Sequence, residues 1–174
     1  MQVADTPRIS DRINQAFQAA SETTGTSFEY LVRTAERESS MRPDLKATTS
    51  SATGLFQFVD QTWLWMMKEE GADLGLSQYS NAITASGNGR YDVADRGLKQ
   101  EILALRNDPT ISSMMAGRLT QKNAAQLTDR IGRAPTDGEL YIAHFMGAGG
   151  GARLINLAQS SPDASAAQAF PAQA

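Results

Sequence analysis

Apolar residues recur every three or four positions along much of this chain, the spacing that places them on one side of an α-helix. The first such segment runs from Ile9 to Ala20 and stops at the polar stretch 21–25. A second begins near Ser27, because Thr26 and Glu29 have the spacing of a capping box. Its predicted buried stripe consists of Phe28, Leu31, Val32 and Ala35.

The same periodicity predicts further helices downstream. Asp60 is expected to cap a helix that ends at Gly71, and Pro109 suits the first turn of a later one. Thr136 and Glu139 repeat the capping-box spacing before a helix that Gly147 closes. Two more helical segments are expected at 97–107 and 153–157.

No segment alternates with the period of two that is typical of strands. Residues 74–91 are predicted to be irregular, with a short helix. The fold class is therefore predicted to be all-α, with seven or eight mostly short helices.

Length and composition indicate one globular domain, residues 1–157. The chain has 174 residues, 41 % of them apolar and 20 % charged. Residues 158–174 are rich in Ala, Ser, Gln and Pro, which predicts a flexible tail or linker and suggests a piece of a longer protein. There is no apolar run long enough to span a membrane, and the first residues do not resemble a secretory signal peptide.

Charge and residue inventory exclude several kinds of chemistry. The net charge is −3 and the 16 Lys and Arg are scattered, so nucleic acid is not an expected partner. With no cysteine and one histidine, His144, thiol nucleophiles and the usual zinc ligand sets are excluded, and no metal or cofactor is expected. The four glycines at 147–151 lack the Lys-Ser/Thr that completes a phosphate-binding loop.

The stretch ERESSMRP, residues 36–43, contains the candidate acid. Pro43 ends the second helix, so Glu38 lies in its last turn, where the helix dipole disfavours an ionised carboxylate. On a helical wheel Glu38 and Glu36 lie roughly 70° and 90° from the centre of the predicted stripe, so the wheel barely separates them. Position along the helix favours Glu38 as a proton donor, and the serines that follow it, Ser39 first, can support the acid by hydrogen bonding to its carboxyl. Solvation of both glutamates remains the alternative.

The segment ESSMRPDLKATTSSATGLFQF, residues 38–58, resembles the first two motifs of the lytic transglycosylases related to goose-type lysozyme. The matching features are the pair Glu38-Ser39, Pro43, a Ser/Thr-rich loop, and Gly-Leu-Phe-Gln ending at Gln57. The resemblance implies a lysozyme-like fold around a glycan-binding cleft. It also places Thr48 or Thr49 where the family has a hydroxyl near the acid.

Weaker similarity extends from about residue 25 to residue 157. NDPTISSMMAGRLTQKN resembles the family's helix beneath the cleft, and ELYIAHFMGAGGGARLI resembles its third motif. There the usual Ala-Tyr-Asn-Ala-Gly is replaced by the sequence from Ala143 to Gly147. Either His144 takes the place of the tyrosine that supports the acid, or Tyr141, one turn earlier, reaches it.

The resemblance implies a peptidoglycan lytic transglycosylase, an enzyme that cleaves the bond between N-acetylmuramic acid and N-acetylglucosamine without water. Glu38 would act as acid and then as base, and Gln57 would contact an N-acetyl group, since amides both donate and accept hydrogen bonds. Asp44 and Asp60 are better explained by a turn and a helix cap than as a second catalytic acid. A non-catalytic glycan-binding module and a hydrolytic muramidase are the alternatives.

The substrate also sets the expected location, because peptidoglycan lies outside the inner membrane. We therefore expect a periplasmic or cell-wall-facing protein, delivered by a secretion, flagellar or phage assembly partner that binds the tail, or trimmed of its signal.

Overall fold

The computed structural model describes residues 8–163, and the chain divides after Arg118 into two compact units. Among the described residues there are seven α-helices, two 3-10 turns and one two-stranded sheet. This mostly helical content confirms the predicted all-α class. The helices are α1 (Ile9–Thr24), α2 (Phe28–Ser39), α3 (Asp60–Glu70), α4 (Ser77–Ser80), α5 (Arg96–Ala104), α6 (Pro109–Ile131) and α7 (Asp137–Ser160).

The connection between α1 and α2 differs from its prediction by a few residues. α1 continues through residues 21–24, because Gly25 adopts a left-handed conformation and caps the helix by donating to the Ser21 carbonyl. The N-cap of α2 is Ser27, whose hydroxyl accepts from the Tyr30 N–H. The predicted capping box is therefore wrong: Thr26 is buried, and its hydroxyl donates to the Gly117 carbonyl at 2.8 Å.

The predicted cap of α3 is also wrong. Val59 occupies the N-cap position without a side-chain hydrogen bond, and Asp60 is the first helical residue. Its carboxylate instead lies 2.8 Å from Nη1 of Arg106. Burial lowers the pKa of Arg106 below the usual arginine value, and the Asp60 carboxylate opposes this shift. Gly71 follows the last residue of α3, as predicted.

Aromatic and sulfur-containing side chains fill the core of the first unit. Trp63 is fully buried, and its indole N–H donates to the Ile102 carbonyl at 2.8 Å. Met66 and Met67 are fully buried beside it on α3. These three side chains therefore form part of the hydrophobic core.

The short helix predicted within residues 74–91 is confirmed as α4, but the rest of the segment is not irregular, since a short antiparallel hairpin begins in it. β1 (Ile83–Ala85) pairs with β2 (Tyr91–Val93), with Ile83 opposite Val93. The Gln61 side chain binds both the N–H and the carbonyl of Tyr91, which ties β2 to α3. Strands of three residues are too short to show an alternating pattern, so periodicity could not reveal them.

Two helix starts agree with their sequence signals. Pro109 begins α6, and the Asp108 carboxylate accepts from the Ile111 N–H at 2.9 Å. Thr136 and Glu139 form the complete capping box predicted for α7.

The second unit has its own small core, made by the end of α6 and both parts of α7. Its members are Leu127, Ala143, Ala152 and Ile155, with Ile131 and Leu140 packed against them. α7 is sharply kinked at Gly147, whose φ of 79° is non-helical, so the predicted helix break there is confirmed. Because the chain turns at this point, Gly151 packs directly against Ala143.

The last part of α7 extends to Ser160, into the segment predicted as a tail. Residues 164–174 lie outside the described residues, so the flexible tail stays a prediction. None of the helices between residues 8 and 163 is long and apolar enough to cross a membrane.

Candidate active site

The position of Glu38 on α2 differs clearly from that of Glu36. Glu38 is half-buried and Glu36 is exposed. The predicted stripe was misplaced, because it omitted Tyr30 and Thr34, which are buried, and included Phe28, which is 38 % exposed. The buried side of α2 is formed by Tyr30, Leu31, Thr34, Ala35 and Ser39. Glu38 lies about 15° from the centre of this set and Glu36 about 145°, counting 100° per residue.

The backbone that follows Glu38 is tightly fixed. Ser40 and Met41 both have left-handed conformations, with φ of 52° and 63°. Their N–H groups donate to the carbonyls of Glu36 and Ala35, so carbonyls of the last turn are partly satisfied by the chain itself. Non-glycine residues in this conformation cost about 1 to 3 kcal/mol each and are concentrated at functional sites. The end of α2 is therefore a defined, strained structure.

Ser39, predicted to support the acid, is held in the helix. It is buried, and its hydroxyl donates to the Ala35 carbonyl at 2.9 Å. A hydroxyl has one proton to donate, so Ser39 retains only its accepting lone pairs for other contacts.

The Ser/Thr-rich loop after Pro43 folds back on itself around one carbonyl. The Leu45 carbonyl accepts from the Gly54 N–H at 3.0 Å and from Nε2 of Gln57 at 2.9 Å. The hydroxyl of Thr53 lies 3.1 Å from the same oxygen and 3.0 Å from Oδ1 of Asn107. The hydroxyl of this buried threonine therefore joins the loop to a residue 54 positions later in the chain, a contact that no local sequence signal predicts.

Gln57 is half-buried, with an unusual positive φ of 52°. Its Nε2 donates to two backbone carbonyls, those of Leu45 and Gly54, each at 2.9 Å. Because both partners are carbonyl oxygens, which only accept, the end of the amide that contacts them must be the nitrogen. The amide nitrogen is therefore engaged inside the protein, and Oε1 is the part of the side chain that is suited to accept a hydrogen bond from a ligand.

Thr48 and Thr49, proposed for the hydroxyl near the acid, are both exposed in a bend of the loop. Thr48 makes no hydrogen bond within the described part of the chain. Its predicted role stays a prediction.

Tyr141 and His144 form a pair on α7. Their rings stack at a centroid distance of 6.3 Å with an interplanar angle of 17°, and both side chains are half-buried. The sequence offered them as alternatives, whereas the structure brings them together. The pair belongs to the second unit, while Glu38 and Gln57 belong to the first. Their support of the acid stays a prediction.

The start of α7, which carries this pair, should respond to pH. Oε1 of Glu139 accepts from Arg133 at 2.9 Å and from the hydroxyl of Thr136 at 3.0 Å. The hydrogen bond from Arg133, aided by those from Thr136, holds the pKa of Glu139 below its ordinary value of 4.5. Because the folded-state pKa is depressed, the ionised carboxylate stabilises the fold above that value, and this contribution is lost as the pH falls through the lowered pKa.

We therefore expect Glu139→Gln to unfold at a lower temperature than the unmutated protein at about pH 7, and the difference to shrink at about pH 3. The unfolding temperatures of both proteins at the two pH values are measured by circular dichroism. An equal difference at the two pH values would contradict this role of the Glu139 charge.

Among residues 8–163 no three His, Asp or Glu side chains are grouped as metal ligands. No model of a known protein family matches the chain. The resemblance to lytic transglycosylases therefore stays a prediction, based on the motif residues 38–57.

Proposed function

We propose that the protein is a peptidoglycan lytic transglycosylase with a lysozyme-like fold, in which Glu38 is the only catalytic carboxyl. The observation that carries this proposal is the placement of Glu38. It is half-buried on the packed side of α2, immediately before a fixed helix end, whereas Glu36 is exposed. A carboxyl that must transfer a proton benefits from such a fixed position, partly shielded from water.

The surroundings of the next two carboxylates along the chain, Asp44 and Asp60, support a mechanism with one acid. Asp60 is paired with Arg106, and Asp44 is exposed. Ordinary glycosidases place a second carboxylate opposite the acid as nucleophile or base. Neither aspartate is suited to that role.

In the proposed reaction Glu38 first donates its proton to the glycosidic oxygen, and the bond from that oxygen to C1 of N-acetylmuramic acid breaks. The acetamido group of the same sugar stabilises the positive charge at C1. Ionised Glu38 then takes the proton from the C6 hydroxyl, whose oxygen bonds to C1. The product is a 1,6-anhydro sugar, and no water is consumed. Oε1 of Gln57 would accept a hydrogen bond from an N-acetyl N–H.

Digestion of purified sacculi tests this function. We expect the protein to release anhydromuropeptides, identified by mass. Products with reducing ends would indicate a hydrolytic muramidase instead. A protein that binds sacculi but releases nothing would be a non-catalytic module of the same fold. The proposed substrate implies a location facing the periplasm or cell wall.

A further inference from the structure

Arg106 is the only buried charged side chain among residues 8–163, with 8 % of its surface exposed. It lies in the 3-10 turn Leu105–Asn107 that follows α5. A buried guanidinium is costly unless its N–H groups donate hydrogen bonds and its charge is balanced. The partners of Arg106 therefore indicate why it is buried.

Those partners lie on both sides of the turn formed by Gly54–Gln57. Nη1 of Arg106 donates to the Ser51 carbonyl at 2.8 Å and to the Phe58 carbonyl at 3.0 Å. The same nitrogen is 2.8 Å from Oδ1 of Asp60, which balances the charge. Ser51 precedes the turn and Phe58 follows it, so one side chain joins its two ends.

The backbone of the 3-10 turn reinforces this junction. The Arg106 carbonyl is packed so closely against Gly54 that an added Cβ would overlap it. The next residue, Asn107, contacts the Thr53 hydroxyl at 3.0 Å. Arg106 and its neighbour therefore contact the start of the Gly54–Gln57 turn and the residue before it.

The Gly54–Gln57 turn contains unusual backbone conformations, which the surrounding contacts must maintain. Gly54 has a φ of 88°, and Gln57, which is not a glycine, has a φ of 52°. A non-glycine residue keeps such a conformation only where the surrounding structure over-determines it. Arg106 supplies that constraint at both ends of the turn, and Nε2 of Gln57 supplies it within the turn.

We propose that Arg106 is a positioning residue that holds the Gly54–Gln57 turn in the conformation in which Gln57 presents Oε1 to an N-acetyl group of the glycan. Arg106 acts on the ligand only through the turn. The identity of the ligand rests on the proposed function, whereas the effect of Arg106 on the turn does not.

Arg106→Lys tests this role, because lysine keeps the charge but lacks the Nε–H that donates to the Leu103 carbonyl at 2.8 Å and fixes the orientation of the guanidinium. Two quantities are measured: amide hydrogen exchange of residues 53–58, and affinity for tri-N-acetylglucosamine. Binding is measured in the Glu38→Gln background, to prevent turnover. We expect exchange at least about tenfold faster and binding at least about tenfold weaker, with exchange of α1 unchanged.

Arg118→Lys is the matched control. Arg118 belongs to the same unit, and its Nη1 lies 3.6 Å from Oε2 of Glu70, but no described contact joins it to the turn. It should leave exchange of residues 53–58 and binding unchanged. If Arg106→Lys does not fold, Asp60→Asn replaces it, since loss of the balancing charge should weaken the same junction in the same direction.

Unchanged exchange in the Arg106 or Asp60 variant would overturn the proposal. Faster exchange with undiminished binding would also overturn it, because Arg106 would then be structural only. If the protein neither cuts sacculi nor binds the trisaccharide, the proposed function fails, and the exchange rates alone decide whether Arg106 fixes the turn.

Discussion

Replacing Glu38 with glutamine should reduce release of anhydromuropeptides from sacculi by about a hundredfold to ten-thousandfold, the range for loss of a general acid. Glutamine keeps the size of the side chain but cannot donate the proton or take it back. Because Glu38 is half-buried on the packed side of α2, a near-isosteric change should leave folding intact.

Glu36→Gln is the matched control, two residues earlier on the same helix. Its side chain is exposed on the opposite side, so the rate should stay within about twofold. Both variants are compared with the unmutated protein in initial rates, with circular dichroism as the check on folding. If Glu36→Gln alone abolished activity, Glu38 would be the wrong glutamate.

The second large effect is expected from Gly54→Ala, on stability. The φ of Gly54 is 88°, which costs an alanine about 1 to 2 kcal/mol. In addition, the new Cβ would overlap the Arg106 carbonyl, a backbone group that cannot rotate away. We expect a total loss of about 3 kcal/mol or more in the free energy of unfolding, measured by urea denaturation.

Gly75→Ala separates the clash from the conformational cost. Gly75 has a φ of 77°, and nothing lies within 4 Å of the place where its Cβ would be. This variant should lose only about 1 kcal/mol. Equal losses for the two variants would show that close packing against Arg106 does not constrain the loop.

Sequence signals correctly predicted those parts of the fold in which a residue determines the conformation of residues next to it in the chain. Pro109 starts α6, Thr136 and Glu139 form their capping box, and Gly147 breaks α7. Predictions failed where the side chain binds a partner that is distant in sequence. Asp60 pairs with Arg106, and Thr26 binds the carbonyl of a residue on α6.

The same limit applies to the candidate site. The motif spacing pointed to Glu38 and Gln57 from sequence alone. A wheel centred on the predicted stripe nevertheless left Glu36 and Glu38 nearly equivalent, because it could not show that Tyr30 and Thr34 are buried while Phe28 is exposed. Arg106 lacked any local signal, since its role comes from contacts about 50 residues away in the chain.

The origin of the oxygen at C1 of the released muramyl sugar tests the central claim most directly. Sacculi are digested by the unmutated protein in water enriched in a heavy isotope of oxygen, and the masses of the muropeptides are measured by mass spectrometry. If one carboxyl acts first as acid and then as base, the products are anhydro sugars that carry no heavy oxygen. Muramyl products with one heavy oxygen at C1 would show that water attacks, which contradicts the proposed transglycosylase mechanism.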